Sequence, residues 1–343
     1  ETPADRMTLL EEEWTTKYEA DYEVLFVANQ GTVVYIDLSL GSGGAGTFGN
    51  PYGSLPTFTT GNTYLFKQGT TYTGQLNVSV TNVVLGTYAT ADGARVFDKS
   101  LLFTVDMNGG RFGVNVSQDD VTLSGIRVTN LSAPYVGAST LAIYCSKSGG
   151  ANDCVIEHCW IDGVSPGVGM FAVSGGIYVR GSGALVRNNK VTTSPLDAIY
   201  IGYNGAADGP DGALVYGNYI HHNDSVPADG PDCVQIASNG TQFGDVRVYD
   251  NWLLHESNTK QCIVITGTSA DTDYCLVKQN YCFGPDIRNT ALGVAGKSIL
   301  VDVKNARIEG NYVEAADWGI GTGGNDTEIL GNTIIFDTNT AHS

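Results

Sequence analysis

A short phrase recurs about every thirty residues in this chain and sharply limits the folds open to it. A typical copy has one or two aliphatic residues, a turn-forming residue, an Asn, then an aromatic and an aliphatic residue, as in 214–220, 247–253 and 307–313. The Asn slot falls at 126, 159, 189, 218, 251, 280, 311 and 332, and six of these eight residues are Asn. Self-similarity at a fixed period is typical of repeat architectures, in which each unit packs against its neighbours.

The residues within one repeat indicate strands rather than helices. No helical periodicity occurs in the phrase, and its pattern describes a strand that bends sharply into another strand. Asn tolerates the left-handed backbone that such a bend needs, so we expect the Asn slot to supply it. Asn side chains stacked on successive coils can also hydrogen-bond to one another. A second strand precedes each Asn, as in 199–201 and 234–236, and alternation predicts that its Ile and Val residues face inward.

An Asn-marked turn between two strand faces resembles the right-handed parallel β-helix of the pectate-lyase superfamily. The resemblance implies an all-β chain, with a β-solenoid over residues 31–343 as a single domain and a short capping helix within residues 1–30. A β-sandwich or a propeller with Asn in ordinary turns is the alternative. Stacked slots also contain cysteines, such as Cys233 and Cys262, which are either small buried core residues or a disulfide pair.

The N-terminal part of the chain has a different pattern. Residues 5–22 predict one helix that is acidic at its start, as the helix dipole prefers. We expect it to cover the unpaired edge of the first coil; in a phage protein it would instead join the chain to the virion. Residues 41–52, which end in Asn50-Pro51-Tyr52, and residues 61–74 (GNTYLFKQGTTYTG) resemble the opening of many carbohydrate-active β-helix proteins. That family usually has Asp where Asn62 stands.

Charge and hydropathy limit the partners. A net charge of −18 and a pI near 4.4 argue against binding to nucleic acid and to an anionic membrane surface. No run of eighteen apolar residues occurs, so we expect no membrane insertion. The chain begins at Glu1 without Met and stops just after an intact repeat, so we expect that sequence is missing at either end. We expect an extracellular protein or a component of a virion tail.

The candidate catalytic residues lie in a slot two residues before the inward Ile or Val of the second strand. Going along the coils, this slot holds Leu141, Gly175, Asp197, Asp232, Gln261 and Lys297. Adjacent coils lie ~4.8 Å apart, so Asp197 and Asp232 are predicted neighbours. Two close carboxylates shift each other's pKa and suit glycosidic-bond hydrolysis. The adjoining outward slot holds Tyr144, Tyr178, Tyr200 and Gln235, a predicted platform for a sugar ring.

The phrase Pro231-Asp232-Cys233-Val234-Gln235-Ile236 resembles the "DDCIAI" strand of polygalacturonases. By position, Asp232 matches the second Asp of the catalytic pair, Asp197 matches an Asp of the preceding coil, and Gln261 falls at the family's catalytic His. Pro231 replaces the first Asp, and no RIK-like motif follows. The resemblance therefore implies a groove shared with polygalacturonases but a different glycan.

Other interpretations of these residues remain open. Either Asp is a turn former in the simplest alternative. Asp208, Asp211 and Asp229 lie in two similar DGPD phrases, and with Asp232 they would offer oxygen ligands to Ca²⁺ beside the same face. Lyases of this superfamily neutralise a uronate carboxylate with Ca²⁺, Arg or Lys and then remove a proton with a basic group. For that reaction the nearby cations are Arg180, Lys260 and Lys297.

The residue after the Asn slot forms a second column, which reads Trp160, Lys190, Tyr219, Trp252, Tyr281, Tyr312 and Thr333. If these side chains point outward, they form a carbohydrate-binding stripe or the packing surface of an oligomer. The homotrimers of phage tailspikes with this fold are a precedent for the second. In a third interpretation a loop covers them.

Two classes of function follow. The first is a polysaccharide depolymerase, with hydrolysis by Asp197 and Asp232 favoured, no cofactor required, and β-elimination as the runner-up. Tyr178, Tyr200, Gln235, Lys260, Lys297 and Arg180 are its expected substrate-binding residues. The second is a non-catalytic glycan-binding adhesin or tail fibre shaft.

Overall fold

A computed structural model describes residues 12–14, 16–17, 31–88, 101–108, 110–130, 140–147, 150–162, 174–192, 197–202, 209–222, 232–238, 243–255, 261–267, 274–283, 297–315 and 318–336. These residues form three parallel sheets, which we name A, B and C. From β2 onward the chain passes from A to B to C and back to A, so that each coil adds a strand to the sheets. The protein is a right-handed parallel β-helix, as the sequence predicted.

Within each sheet the strands pair in the order of the coils. Sheet A has eleven strands: β1 (Val33–Ile36), β2 (Thr63–Lys67), β5 (Val83–Tyr88), β8 (Val121–Ser124), β11 (Val155–Glu157), β14 (Leu185–Arg187), β17 (Leu214–Tyr216), β20 (Val246–Tyr249), β23 (Cys275–Lys278), β26 (Ala306–Glu309) and β29 (Glu328–Leu330). Sheet B has ten strands: β3 (Thr71–Thr73), β6 (Phe103–Asp106), β9 (Ile126–Thr129), β12 (Trp160–Ile161), β15 (Lys190–Thr192), β18 (Tyr219–His222), β21 (Trp252–His255), β24 (Tyr281–Phe283), β27 (Tyr312–Ala315) and β30 (Thr333–Phe336). Sheet C has nine strands: β4 (Leu76–Val78), β7 (Phe112–Val116), β10 (Thr140–Cys145), β13 (Ser174–Arg180), β16 (Ile199–Gly202), β19 (Val234–Ser238), β22 (Ile263–Gly267), β25 (Lys297–Asp302) and β28 (Trp318–Thr322). A short 3₁₀ helix spans Leu38–Leu40.

The predicted Asn slot forms a buried hydrogen-bonded ladder at the bend between sheets A and B. Its bonded members are Asn189, Asn218, Asn251, Asn280, Asn311 and Asn332. The Asn218 side-chain amide donates to the Asn251 side-chain oxygen at 3.0 Å and to the backbone oxygen of Val186 at 3.0 Å. The same Asn251 oxygen accepts the backbone N–H of Asn218 at 3.0 Å. Each rung thus satisfies backbone groups of two neighbouring coils, as burial requires.

The left-handed backbone at this bend belongs to the residue before each Asn, which corrects the expectation from the sequence. Positive φ angles occur at Gly125, His158, Asn188, Gly217, Asp250, Gln279, Gly310 and Gly331. The ladder Asn residues do not adopt it. Their side chains are selected for the ladder hydrogen bonds, whereas the preceding position is occupied by Gly or by residues that tolerate a left-handed turn.

The Asn ladder predicts a stability effect that depends on burial. Replacing Asn251 by Ala removes acceptors and donors used by two adjacent coils. We expect the free energy of unfolding to fall by about 2–4 kcal/mol, because buried backbone groups lose their partners. The urea midpoint of unfolding measures this.

The matched control is Asn77→Ala, since Asn77 is exposed on the outer face of sheet C. We expect it to change stability by less than about 0.5 kcal/mol. Equal effects of the two substitutions would show that the ladder adds nothing specific.

The open edge of the first coil is covered by the Gly-rich loop that follows β1. The backbone N–H of Tyr35 donates to Gly46 at 2.9 Å, and the N–H of Asp37 donates to Tyr52 at 2.8 Å. Tyr52 donates back to the Tyr35 oxygen at 2.9 Å. Gly44 has a φ of +92°, and a Cβ there would lie 1.9 Å from the Pro51 oxygen, so this loop needs glycine.

The N-terminal helix lies elsewhere. Its described residues, Glu12–Trp14 and 16–17, are helical, but they contact the bends and outer face of sheet B in the middle of the solenoid. The described part of the helix is therefore not the lid on the first coil that the sequence suggested. None of the helical residues in the described ranges forms a segment suited to crossing a membrane.

The core is a continuous apolar column inside the three sheets. The Ile and Val residues of the sheet C strands, such as Ile199 and Val234, are fully buried, and Tyr200 between inward positions is half-buried, as alternation predicted. All seven cysteines are buried free thiols. Of the two interpretations of the cysteines, the structure shows the small core residue.

Candidate active site

The predicted carboxylate slot lies at the bend that leads into sheet C. Strand β16 pairs with β19, and β19 pairs with β22, in the register that places Asp197, Asp232 and Gln261 on successive coils. Asp197 is 8% exposed and Asp232 is 3% exposed. The structure therefore brings together the three residues predicted as catalytic, and it buries both carboxylates.

Each carboxylate holds the backbone of the next coil. Asp197 Oδ1 accepts the backbone N–H of Asp232 at 3.0 Å, and Asp232 Oδ1 accepts the backbone N–H of Gln261 at 3.0 Å. The pair forms a short ladder analogous to the Asn ladder at the other bend. This arrangement gives Asp a structural role at these two positions of the slot.

This ladder predicts that Asp232 can be replaced by Asn but not by Ala without loss of stability. Asp232→Ala leaves the partly buried N–H of Gln261 without its acceptor, which should cost about 1–3 kcal/mol. Asp232→Asn keeps an acceptor oxygen and should stay closer to the wild type. Urea denaturation compares the two.

Asp302→Ala is the control, because Asp302 is exposed at the end of β25 on the same sheet. We expect no loss beyond about 0.5 kcal/mol for it. If Asp232→Ala were equally neutral, the hydrogen bond to Gln261 would have no structural role.

A row of aromatic rings covers the outer face of sheet C beside this ladder. The register aligns Tyr144, Tyr178, Tyr200 and Gln235 as predicted. The rings of Tyr178 and Tyr200 are stacked, with centroids 4.9 Å apart. A Cβ at Gly202 would lie 2.4 Å from the Tyr200 hydroxyl, and one at Gly175 would lie 2.5 Å from the Tyr178 ring. Glycine at these two positions therefore makes room for the rings.

Tyr178 links the rings to the carboxylates. Its hydroxyl donates to Asp197 Oδ2 at 3.2 Å, so both oxygens of Asp197 accept hydrogen bonds. Burial, together with the charge of Asp197 and this bond, raises the pKa of Tyr178 well above its ordinary value. Burial also raises the pKa of Tyr200, with the Asp197 charge adding to the shift and the Arg180 guanidinium opposing it. Both phenols stay protonated near neutral pH.

Arg180 supplies positive charge to this face. It lies two residues after Tyr178 on β13, with its guanidinium carbon 5.7 Å from the ring centroid of Tyr144. Its charge also acts on the pKa of Tyr178 and of Tyr200. The site therefore combines a cation, two neutral phenols and two buried carboxylates along adjacent coils.

The aromatic row extends further than the sequence analysis proposed. Phe112 on β7 pairs with Leu141 and stacks on Tyr144, with centroids 4.6 Å apart. The Arg111 guanidinium lies 4.8 Å from the centroid of the Phe112 ring. The Tyr slot itself continues to Asn115, whereas Phe112 shares the slot of Leu141. Extending the Leu141 slot by one coil toward the N-terminus would have found Phe112, with Arg111 beside it.

Not all the predicted substrate-binding and metal-binding residues can be placed. Lys260, Asp208 and Asp229 lie outside the described residues, and only the backbone of Lys297 is described, at the start of β25. Gln235 lies half-buried beside Tyr200.

Asp211 lies away from the Asp232 face, which corrects the expectation that the two share it. Asp211 precedes β17 at the bend between sheets C and A, whereas Asp232 precedes β19 at the bend between sheets B and C. The described residues contain no group of three His, Cys, Asp or Glu side chains placed to hold a metal ion.

The raised pKa of Tyr178 predicts a specific alkaline pH dependence. Because its pKa is higher in the folded protein than in the unfolded chain, its contribution to stability is complete below about pH 10. That contribution is lost as the pH rises through the folded-state pKa. Tyr178→Phe should therefore lose less stability than the wild type between about pH 10 and 12, in urea unfolding. An identical slope in both proteins would show that Tyr178 ionises as readily when folded as when unfolded.

A comparison with solved structures supports the fold. No protein-family model matches the chain, and no curated protein matches it significantly. Among solved structures, it is similar to the crystal structure of an alginate lyase from Paenibacillus sp. str. FPU-7. That match has a TM-score of 0.51 and 15% sequence identity, and it covers 80% of this chain and 89% of the other. The resemblance to parallel β-helix proteins is thus confirmed at the level of fold, and activity has to be argued from the site.

Proposed function

We propose that this protein degrades a uronate-containing polysaccharide by β-elimination on the outer face of sheet C. The observation that carries the proposal is the grouping of Arg180 with Tyr144, Tyr178 and Tyr200, beside the buried Asp197. The similarity in fold to an alginate lyase supports it. A polysaccharide substrate also agrees with the length and openness of a β-solenoid face.

Arg180 is the residue proposed to bind the uronate carboxylate. In β-elimination a base removes the proton from C5 of the sugar, and the negative charge spreads onto the C6 carboxylate. A guanidinium at that carboxylate stabilises the charge as it develops, and it can form two parallel hydrogen bonds with the two oxygens. The charge of Arg180 acts on both stacked phenols, Tyr178 and Tyr200.

Tyr200 is the residue proposed to protonate the departing oxygen at C4. Its raised pKa keeps the phenol protonated near neutral pH, and a group in that state is a proton donor rather than a base. Tyr178 is held by its bond to Asp197 and packs on Tyr200, so it is proposed to position the ring. Lys260 and Lys297 remain the proposed bases, and Ca²⁺ remains a proposed aid to binding the carboxylate.

Hydrolysis by Asp197 and Asp232 is the second candidate, favoured by their position on adjacent coils. Two observations give it less support than elimination. Both carboxylates are nearly fully buried, and one oxygen of each binds the backbone of the next coil. A hydrolase of this type needs one carboxyl group to reach the glycosidic oxygen and the other to reach a water or the anomeric carbon.

The deciding experiment incubates the protein with alginate, polygalacturonate, other uronate-containing glycans and neutral glycans. Reducing ends and ultraviolet absorbance are followed together, because only elimination creates a C4–C5 double bond that absorbs. We expect absorbance to rise in step with reducing ends on a uronate-containing glycan. Reducing ends without absorbance, lost in Asp232→Asn, would establish hydrolysis instead. No product from any glycan would favour a non-catalytic glycan-binding protein.

Substitutions then test the roles of the residues. Arg180→Ala should lower kcat/KM by about 100-fold or more, as removal of a group that stabilises developing charge does. Tyr200→Phe should lower kcat by about 100-fold with little change in KM. Arg247→Ala is the matched control, because Arg247 lies on the outer face of sheet A and pairs with Asp245. If Arg247→Ala lost as much activity as Arg180→Ala, the site would have to lie elsewhere.

Because polysaccharides of this kind are found outside cells, we also propose an extracellular or virion location. A homotrimer remains a proposal, and the stoichiometry of the purified protein measured by light scattering tests it.

A further inference from the structure

The outer face of sheet B carries a column of aromatic and cationic side chains. The register aligns Trp160, Lys190, Tyr219, Trp252, Tyr281, Tyr312 and Thr333 on successive coils. The Lys190 ammonium lies between two rings, 5.0 Å from the centroid of Trp160 and 5.6 Å from that of Tyr219. We name these seven residues the sheet B column. Part of it is already occupied in the structure.

Trp14 of the N-terminal helix packs on the middle of this column. Its indole N–H donates to the backbone oxygen of Gly217 at 2.7 Å, and its ring lies 5.9 Å from that of Tyr219. Trp14 and Tyr219 are each 1% exposed and form a separate apolar cluster with Leu254. A buried Trp with its N–H satisfied is typical of an anchoring residue.

Lys17 makes the equivalent contact one coil further along. Its ammonium pairs with Asp250 at 2.8 Å and lies 4.9 Å from the ring centroid of Trp252. Gly217 and Asp250 occupy the same left-handed position before the Asn ladder on consecutive coils. Trp14 and Lys17 therefore contact the same two places of two successive repeats.

The geometry of helix and solenoid explains this match. Three residues of α-helix rise about 4.5 Å, and successive coils of a parallel sheet are ~4.8 Å apart. A helix aligned with the solenoid axis therefore presents residues i and i+3 to neighbouring coils in step. The Trp-x-x-Lys spacing of residues 14 and 17 fits this column.

The two coils that the helix contacts lead to Asp232 and Gln261, which lie one and two coils beyond the coil of Tyr200. Strand β18, which holds Tyr219, continues to Asp232, and β21, which holds Trp252, continues to Gln261. Leu254, in the Trp14 cluster, has its backbone oxygen 4.0 Å from the Cys233 thiol next to Asp232. The contact thus lies on the adjoining face of the same coils.

We propose that the N-terminal helix, which the structure places on the sheet B column, has a mechanical role there. In this role the helix is a strap, anchored by Trp14 and Lys17, that braces the two coils carrying Asp232 and Gln261. The chain between Lys17 and Gly31 can extend over more than about 40 Å. Lys17 lies on the coil of β20, seven strand steps from β1 in sheet A, or about 34 Å along the axis at ~4.8 Å per step. The segment can therefore reach the column within one chain.

The test uses hydroxyl-radical labelling of the full chain, read by mass spectrometry at Tyr219 and Trp252. In the wild type at low protein concentration, Tyr219 should be protected. In Trp14→Ala its labelling should rise several-fold, and in the matched control Thr16→Ala it should not, because the Thr16 hydroxyl donates to the Glu12 backbone oxygen within the helix. Equal labelling of Tyr219 in wild type and Trp14→Ala would overturn the proposal.

Two further readouts keep the result decisive. Tyr64, which is buried in sheet A, must stay protected from labelling. If Tyr64 is labelled, Trp14→Ala has unfolded. Lys17→Glu, which places a like charge beside Asp250, then replaces Trp14→Ala as the test variant. Protection of Tyr219 that appears only as the protein concentration rises would show that the helix comes from a second copy, which overturns docking within one chain.

Bracing is tested separately by hydrogen exchange at the Gln261 amide. Its N–H is held by Asp232 Oδ1, and it should exchange several-fold faster in Trp14→Ala than in the wild type. Exposure of Tyr219 with unchanged exchange at Gln261 would show that the helix docks but does not brace the site.

Discussion

The structure depends on one repeated interaction, the buried hydrogen bond between Asn side chains of neighbouring coils. From Asn218 onward each ladder oxygen accepts two N–H groups from the preceding coil, and each amide also donates to a carbonyl of a sheet A strand. A β-solenoid turns its chain sharply three times per coil, and the backbone groups at those bends cannot all pair within the sheets. Satisfying them inside the core fixes the position of the bend between sheets A and B. The strands then stack in register.

That fixed register is what makes a site possible on sheet C. Side chains that are about thirty residues apart in sequence become neighbours at the spacing of a sheet, so one slot becomes a column. Asp197 and Asp232 repeat at a second bend the logic of the Asn ladder, since each binds the backbone of the next coil. The same placement aligns Tyr178 and Tyr200 on the outer face with Arg180 beside them. The backbone hydrogen bonds of the carboxylates and the proposed catalytic residues therefore lie on neighbouring coils.

From the sequence, the N-terminal helix was expected to cover the first coil. In the structure the Gly-rich loop covers it, and the described part of the helix contacts sheet B instead. The Gly-rich loop pairs with β1 and covers its edge, while the helix lies along sheet B and binds the turns of two coils through Trp14 and Lys17. A loop can follow a strand edge because its backbone donates and accepts hydrogen bonds directly. A helix has already used its backbone groups, so it can dock only through its side chains.

Periodicity and alternation are local properties of the chain, and they were enough to specify the architecture, the length of the coil and the slots that stack. They also placed Asp197, Asp232 and the Tyr row together. They misplaced the left-handed residue, since Asn suits both the ladder and the turn, and hydrogen-bond geometry is needed to tell the two apart. No local pattern could show that the carboxylates of Asp197 and Asp232 hold backbone amides, that Asp211 lies at another bend, or that Trp14 reaches Gly217. Those facts depend on distances between residues far apart in sequence, which are set when the coils stack and the helix docks.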